Sequence, residues 1–237
     1  MPVISIIIPT HNEEAQIGDL LRNLFALPGD FEVIVVDGES RDETTRIVDA
    51  MRGQWPNRLR LIETERYRAI QLNRGAEKAR GDTLLFLHAD ARLPEQSLLN
   101  LEGELSRDGI VGGNFDIEFD GKGFWDQAFS RINRWRRRLG IYYGDSGIFV
   151  RRRVFDRLGG YRPMPILEDY EFARRLEASG RTALLRPPLA VSSRRWQVQG
   201  VGRTLWSWVV IQGLYLVGVS ADRLAGWYQP VRKPDKK

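Results

Sequence analysis

The sequence predicts an α/β fold: a mainly parallel central sheet with helices on both faces, then a less regular α+β half and a C-terminal helix. Three observations predict it. Short β-branched runs alternate with segments of helical period over residues 1–118. These runs are apolar without interruption, as strands covered on both faces are. Polar clusters stand directly after three of them, at the carboxyl ends where parallel sheets bind their ligands.

Residues 3–9 form the first expected strand. An amphipathic helix follows, with Glu13 and Glu14 in its first turn and Ile17, Leu20, Leu21 and Leu24 on one face. A second buried strand covers 31–37. Ser40 and Glu43 then have the spacing of a capping box ahead of a helix carrying Ile47, Val48 and Met51. A third strand is expected near 59–62, a helix near 69–79 and a fourth strand at 83–87. Pro94 opens another helix, with Leu98, Leu101 and Leu105 turned inward. Beyond this point 114–119 alternates like a half-exposed strand, Phe124–Arg138 reads as a helix and 147–150 as a short strand. Glu168–Ser179 is a helix opened by acids, and 205–219 is apolar all round. An all-apolar helix is more often core than membrane anchor.

Charge divides the chain. Residues 1–118 carry 13 Lys+Arg against 21 Asp+Glu, a formal charge of −8; residues 119–237 carry 23 against 10, or +13. Of the basic residues 31 are Arg and 5 are Lys. We read 1–118 and 119–231 as two halves of one domain and 232–237 as a disordered tail. With 42% hydrophobic and 28% charged residues the chain is globular in composition, which excludes a disordered, collagen-like or coiled-coil protein. The absence of cysteine excludes disulfides, thiolate nucleophiles and Cys-based metal sites; two histidines, His11 and His88, cannot build a three-His zinc site. The N-terminus lacks signal-peptide features. The 15-residue apolar run at 205–219 is shorter than the ~20 residues a span needs. A cytoplasmic protein without a transmembrane helix is expected.

The strand-end clusters are Thr10-His11-Asn12-Glu13, Asp37-Gly38-Glu39-Ser40 and His88-Ala89-Asp90. Asp90 either caps the next turn or holds a divalent cation through oxygen; His88 as a second ligand would favour Mn²⁺ over Mg²⁺. Glu168-Asp169 either caps its helix or supplies a general base for an acceptor hydroxyl. In Arg194-Arg195-Trp196, guanidinium forks suit a diphosphate and the indole suits a sugar face; a solvated turn is the alternative. Arg131, Arg134, Arg136, Arg137 and Arg138 crowd one helix with Trp135. They form a solvated face or meet anionic lipid head groups. Nothing resembles a nucleic-acid-binding motif, and the first half is acidic, so nucleic acid is not an expected partner.

Taken together, four segments resemble the family 2 glycosyltransferases, which have the GT-A (Rossmann-like) fold. They are Ser5-Ile-Ile-Ile-Pro-Thr-His-Asn-Glu, Val35-Val-Asp-Gly-Glu-Ser-Arg-Asp-Glu-Thr, Gly81-Asp-Thr-Leu-Leu-Phe-Leu-His-Ala-Asp, and Gly159-Gly-Tyr followed by Glu168-Asp169-Tyr-Glu-Phe-Ala-Arg-Arg. The last two align with the family's DxD metal motif and its ED-type acceptor motif. Arg68-Ala-Ile-Gln-Leu-Asn-Arg-Gly, Leu87-His-Ala-Asp, Tyr143-Gly-Asp-Ser-Gly-Ile-Phe-Val-Arg-Arg and Ser193-Arg-Arg-Trp narrow the likeness to a small soluble bacterial subgroup associated with radical-SAM or selenium-related genes.

The resemblance implies an inverting, metal-dependent transfer of a sugar from a nucleoside-diphosphate donor to a hydroxyl acceptor. UDP is the default donor nucleotide, and a lipid-linked acceptor would bring the protein to the inner face of the membrane through 131–138 and 205–219. Residues 1–118 would be the nucleotide-sugar half and 119–231 the acceptor half. Pro9, Thr10, Glu13 and Asp37 would line the nucleotide, with Arg68 near the base or diphosphate. Asp90, with His88, would hold Mg²⁺ or Mn²⁺. Asp169 would be the base and Glu168 would orient the acceptor. Arg194, Arg195 and Trp196 would lie near donor and acceptor. Two positions depart from the family pattern: Gly38 stands where a second acid is common, and His88 stands at the first acid of DxD. A GT-A nucleotidyltransferase and a non-catalytic membrane-surface protein are the alternatives; the first would show a Gly-rich phosphate loop after the first strand, which Thr10-His-Asn-Glu-Glu is not.

Overall fold

Along the first strand, β1 (Ile4–Thr10), neighbouring isoleucines serve two different cores. Side chains alternate across a strand, so Ile4, Ile6 and Ile8 face one layer and Ile7 the other. The first layer packs Leu20, Leu21 and Leu24 of α1 (Ile17–Phe25), Val48 of α2 (Thr44–Arg52), and Leu98 and Leu101 of α4 (Ser97–Leu105). The second packs Ala69, Leu72 and Ala76 of α3 (Arg68–Lys78), Val154 and Phe155 of α6 (Arg152–Leu158), and Phe172 and Leu176 of α7 (Glu168–Ser179). The uninterrupted apolar runs are strands covered twice.

The computed structural model describes residues 3–121, 123–192 and 200–227. Its sheet adds β2 (Phe31–Gly38), β3 (Leu59–Thr64), β4 (Thr83–Phe86), β5 (Ile110–Phe119), β6 (Ile148–Arg151) and β7 (Arg181–Val191). Their order is β3-β2-β1-β4-β6-β5-β7. The first four are parallel, β6 runs antiparallel to β4 and β5, and β7 lies parallel to β5. The expected mainly parallel α/β sheet is present, and strands from both halves of the chain share it. Thr10 pairs in register with Asp37, so the polar clusters after β1, β2 and β4 emerge along one edge.

Several local expectations are corrected. Helix α1 starts at Ile17, leaving Glu13 and Glu14 in the preceding turn, where their N–H groups donate to Thr44 Oγ1 and Asp42 Oδ2. Ser40 caps nothing: its hydroxyl donates to Asp37 Oδ1 at 2.5 Å, and Asp42 Oδ1 accepts from the Thr44 N–H instead. Pro94 lies ahead of α4, its carbonyl accepting from Ser97 N. Strand β5 is buried on both faces because it runs between β6 and β7 rather than at a half-exposed edge. Pro187 and Pro188 hide β7 from the sequence pattern; they sit on an edge strand, in the stretch where its pairing with β5 shifts register between Phe115 and Ile117, a place that tolerates proline.

The apolar stretch at 205–219 is also shifted and is core on one side only. It forms α8 (Val201–Leu216), whose Ile211 is buried and whose Trp208 packs on the core, while Trp206, Val209 and Leu216 face solvent. A short α9 (Ala221–Ala225) follows. The tail 232–237 lies outside the described residues. No described helix is long and apolar enough to cross a membrane.

Candidate active site at the carboxyl edge of the sheet

On the β1–β2 side the polar residues satisfy one another. Asp37, buried at the end of β2, accepts from Thr10 Oγ1 at 2.9 Å, from Ser40 Oγ at 2.5 Å and from the Ser40 N–H at 2.8 Å. The Asn12 N–H donates to Ser40 Oγ, and Asn12 Oδ1 accepts from the Arg41 N–H. His11 Nδ1 donates to the Gly38 carbonyl. Gln71, one turn into α3, donates to the carbonyls of Thr10 and Val36 at 2.7 and 2.8 Å and so ties both strand ends to one helix. A Cβ on Gly38 would stand 2.9 Å from Gln71 Nε2 and 3.1 Å from the Arg66 Cα. That close approach is why no acid follows Asp37. Pro9, Thr10, Glu13 and Asp37 therefore stand together at the ends of β1 and β2, with Thr10 and Asp37 buried.

The acids are arranged differently. Glu168 and Asp169 open α7, and Arg68 opens α3 opposite them. Arg68 Nε lies 3.3 Å from Glu168 Oε1, and its Nη2 lies 3.9 Å from Asp169 Oδ2. The same Nη2 donates to His88 Nε2. Since a guanidinium can only donate, that imidazole nitrogen carries no proton. Burial and the Arg68 charge hold the His88 pKa well below the ordinary histidine value, so the ring is neutral. Asp169 accepts from the Gly144 N–H at 2.8 Å and from the Tyr170 N–H at 2.7 Å, which fixes the carboxylate plane. Gly144 begins a single 3₁₀ turn, Gly144–Ser146; a Cβ there would run into Arg68 and stand 3.0 Å from His88 Nε2.

Two carboxyls in this cluster are held above their usual range. Burial raises Glu168, and the Asp169 charge adds to it against the pull of Arg68. Asp145 is pushed up to about 6 by burial, then by the charge of Asp169, with a further contribution from Asp90; Arg68 and Arg136 oppose the shift. Asp90 thus belongs to the same electrostatic neighbourhood as Asp145 and Asp169. A divalent cation beside Asp90 and Asp145 would reverse the penalty, so the donor chemistry fits one. Among the described residues no three potential ligands converge. His88 could join only if Arg68 released its Nε2.

Arg194, Arg195 and Trp196 lie outside the described residues. Three residues without an assigned role from sequence stand in the site. Asp145 sits on the turn against Asp169. Gln71 organises the strand ends. Tyr143 stacks on Tyr170 with centroids 5.8 Å apart, and its hydroxyl meets Arg136 and Gln212. The Gly159-Gly160-Tyr161 loop is clamped by Asn73, which accepts from the Tyr161 N–H and donates to its carbonyl, and by Arg175 on the Gly160 carbonyl. None of these links spans neighbouring positions in sequence.

Comparison with known proteins gives the family and the fold. The profile described as "Glycosyl transferase family 2" matches residues 5–159. The PGL/p-HBAD biosynthesis glycosyltransferase of Mycobacterium tuberculosis H37Ra is 34% identical over 180 residues, covering 72% of this chain and 68% of the relative. The beta-monoglucosyldiacylglycerol synthase of Synechocystis is 26% identical over 244 residues, covering 89% of this chain and 51% of the relative; the chain thus spans about half of that protein. Among solved structures, the mannosyltransferase PcManGT from Pyrobaculum calidifontis, in complex with GDP-Man and Mn²⁺, superposes with a TM-score of 0.70 at 22% identity, over 96% of this chain and 69% of that one. S. aureus TarS 1-349 in complex with UDP gives 0.67 at 20% identity, over 80% and 60%. At these identities the structures show the fold, which is GT-A.

Proposed function

We propose, from the premise that this chain belongs to glycosyl transferase family 2, that it transfers a sugar from a nucleoside-diphosphate donor to an acceptor hydroxyl with inversion. The observation that carries the reading is the convergence of Asp169, Glu168, Arg68 and Asp145 with Asp90 at the carboxyl edge of the sheet, beside the hydrogen-bonded Thr10–Asp37 strand ends. Solved relatives in complex with GDP-Man, UDP and UDP-GlcNAc support a nucleotide-sugar donor; we take UDP as the nucleotide.

In this reading Pro9, Thr10, Glu13 and Asp37 receive the nucleotide, and the fixed β1–β2 loops orient it without rearrangement. Asp169, held by two backbone N–H groups, accepts the proton of the acceptor hydroxyl as its oxygen attacks the anomeric carbon. Glu168 orients the acceptor. Arg68 faces the charge that develops on the departing diphosphate. Asp90, joined by Asp145 and by His88 if Arg68 moves away, would hold Mg²⁺ or Mn²⁺, which when bound neutralises the diphosphate leaving group. Arg194, Arg195 and Trp196 would lie near donor and acceptor, as the resemblance implies.

The acceptor-side proposal is a lipid-linked hydroxyl met at the inner face of the membrane; the name of the Synechocystis relative describes a glycosylated diacylglycerol. The narrower likeness to a small soluble bacterial subgroup, and a cytoplasmic place at the inner face of the membrane for this chain, belong to the same proposal. A melting-temperature panel of UDP-, GDP-, ADP- and TDP-sugars, each with Mn²⁺, Mg²⁺ or EDTA, tests the donor side through binding linkage. A metal-dependent shift with one donor is expected, and no shift with any would remove the reading. Release of pyrophosphate in place of a nucleoside diphosphate would identify a nucleotidyltransferase.

A further inference from the structure

We infer that α5 (Phe124–Arg138) and α8 form a docking face for an anionic lipid bilayer, which presents an amphiphilic acceptor to Asp169. The inference deepens the glycosyl-transfer reading and rests on it for the acceptor, though not for the lipid contact itself.

The arginines of α5 are of two kinds. Arg134 pairs with Asp116 at 2.8 Å, Arg137 reaches Glu177 at 3.2 Å and covers the Tyr142 ring, and Arg136 meets Tyr143 and Gln212. These three build the fold. Arg131 and Arg138, seven residues apart, are exposed, with no ion pair among the described residues. They flank a stripe at helical spacing: Trp125, Ile132, Trp135 and Leu139 are exposed, Trp135 to 60%. The acid of this helix, Asp126, is buried.

Helix α8 lies alongside. Phe129 and Trp208 meet edge to face at 5.7 Å, and Arg136 donates to Gln212 at 2.9 Å. Its outer face repeats the pattern: Trp206 is 72% exposed, Val209 67% and Leu216 65%, and Val201–Leu216 contains no Asp or Glu. The nearest acid beyond it is Asp222 on α9, paired in sequence with Arg223. The face is therefore apolar, rich in tryptophan, basic at its rim and free of acids along both helices. That combination matches an interfacial surface lying in the head-group layer. A bilayer matches this chemistry directly: indoles for the head-group layer and guanidiniums for its anionic charge.

The inner side of the same pair of helices reaches the site. Gln212 and Arg136 converge on the Tyr143 hydroxyl, Tyr143 precedes the Gly144 N–H that holds Asp169, and Tyr170 packs between Tyr143 and Tyr215. A bilayer on the outer face would bring a lipid head group beside the base, so the acceptor class is an amphiphile with its hydroxyl at head-group level.

The test is co-sedimentation and tryptophan emission with vesicles of phosphatidylcholine alone or mixed with phosphatidylglycerol. Binding and a blue shift are expected only with the anionic vesicles. Arg131→Gln with Arg138→Gln should weaken partitioning about 30-fold, taking the usual contribution of a basic residue near an anionic surface for each. Arg46→Gln with Arg107→Gln, exposed on the other half of the chain, should leave it unchanged. Circular dichroism and the nucleotide-sugar melting shift check that both variants are folded. Equal binding to both vesicle types, an equal loss in the two double variants, or no binding would overturn the proposal. So would a dimer in sedimentation that Trp135→Ser with Trp206→Ser makes monomeric, since the face would then belong to a second copy. Vesicle binding without any donor shift would spare the surface and sink the transfer reading; a donor shift without vesicle binding would do the reverse.

Discussion

At the β1–β2 side of the cleft Asp37 accepts hydrogen bonds from Thr10 and Ser40, and Gln71 closes the remaining carbonyls. At the α7 side Glu168, Asp169 and Asp145 crowd together and lean chiefly on Arg68, which also serves His88. The first region is satisfied without a ligand; the second is incomplete without a counter-charge. A satisfied network holds its shape and contributes to stability. A cluster of like charges costs stability in the free protein and stores it for the substrate and its cation. Substitutions on the two sides should therefore separate: those beside Asp37 should injure folding, and those among the acids should injure chemistry and spare the fold.

The largest effect belongs to Asp169→Asn. A general base contributes about 10²–10⁴-fold to rate, so kcat should fall by about 10³ while the donor's melting shift is kept. The amide still accepts from Gly144, so the loop stays in place. Steady-state nucleoside-diphosphate release checks this, and an unchanged kcat would remove Asp169 as the base.

Next comes Asp37→Ala on the satisfied side. It leaves Thr10 Oγ1, Ser40 Oγ and the Ser40 N–H without their acceptor. A buried donor left unpaired costs about 1–3 kcal/mol, and three sharing one carboxylate should together cost about 3 kcal/mol. At about 2–4 °C per kcal/mol for a chain of this size, Tm should drop by about 6–12 °C. A drop no larger than that of Asp169→Asn would erase the contrast between the two sides.

How far the contrast could be read from sequence follows from the range of the interactions. The strands were legible because burial on both faces writes itself into consecutive residues such as Ile6, Ile7 and Ile8. The site's location was legible because parallel strands end together, bringing Thr10, Asp37 and Asp90 to one edge. Gln71 was not, since its partners lie 61 and 35 residues away. Asp145 looks like any loop acid until Asp169 and Asp90 stand near it. Ser40 shows the opposite failure: its spacing to Glu43 fits a cap, but Asp37, three residues earlier, is the better partner for its hydroxyl. The same holds for the arginines of α5, which share a helix and a composition yet divide into three bonded into the fold and an exposed rim.

A smaller effect sharpens the satisfied side. Gly38→Ala places a methyl against Gln71 Nε2 and the Arg66 backbone, and overpacking of this kind costs about 1–3 kcal/mol. Gln71→Ala should cost a similar amount by freeing two carbonyls. In the double variant the clash with the amide is gone, so the losses should fall short of additive by about 1 kcal/mol in urea denaturation. Strict additivity would place the strain on Arg66 alone.

The smallest effect tests whether the acid side is truly unfavourable in the free protein. Asp145 has a folded pKa of about 6 against an ordinary 3.8. Between those values the folded chain keeps a proton that the unfolded chain has lost, so stability declines as pH rises through the window and stays low above it. Asp145→Asn has no proton to lose. In EDTA its Tm should match wild type at pH below about 4 and exceed it above pH 6. Two pKa units correspond to about 3 kcal/mol; because Asp145 is partly exposed, about 1 kcal/mol, or about 2–4 °C, is the expected gain. Mn²⁺ with a nucleoside diphosphate should close the gap by stabilising only the carboxylate. A variant that melts below wild type at neutral pH would mean that Asp145 is already compensated, and the two sides of the cleft would then be alike.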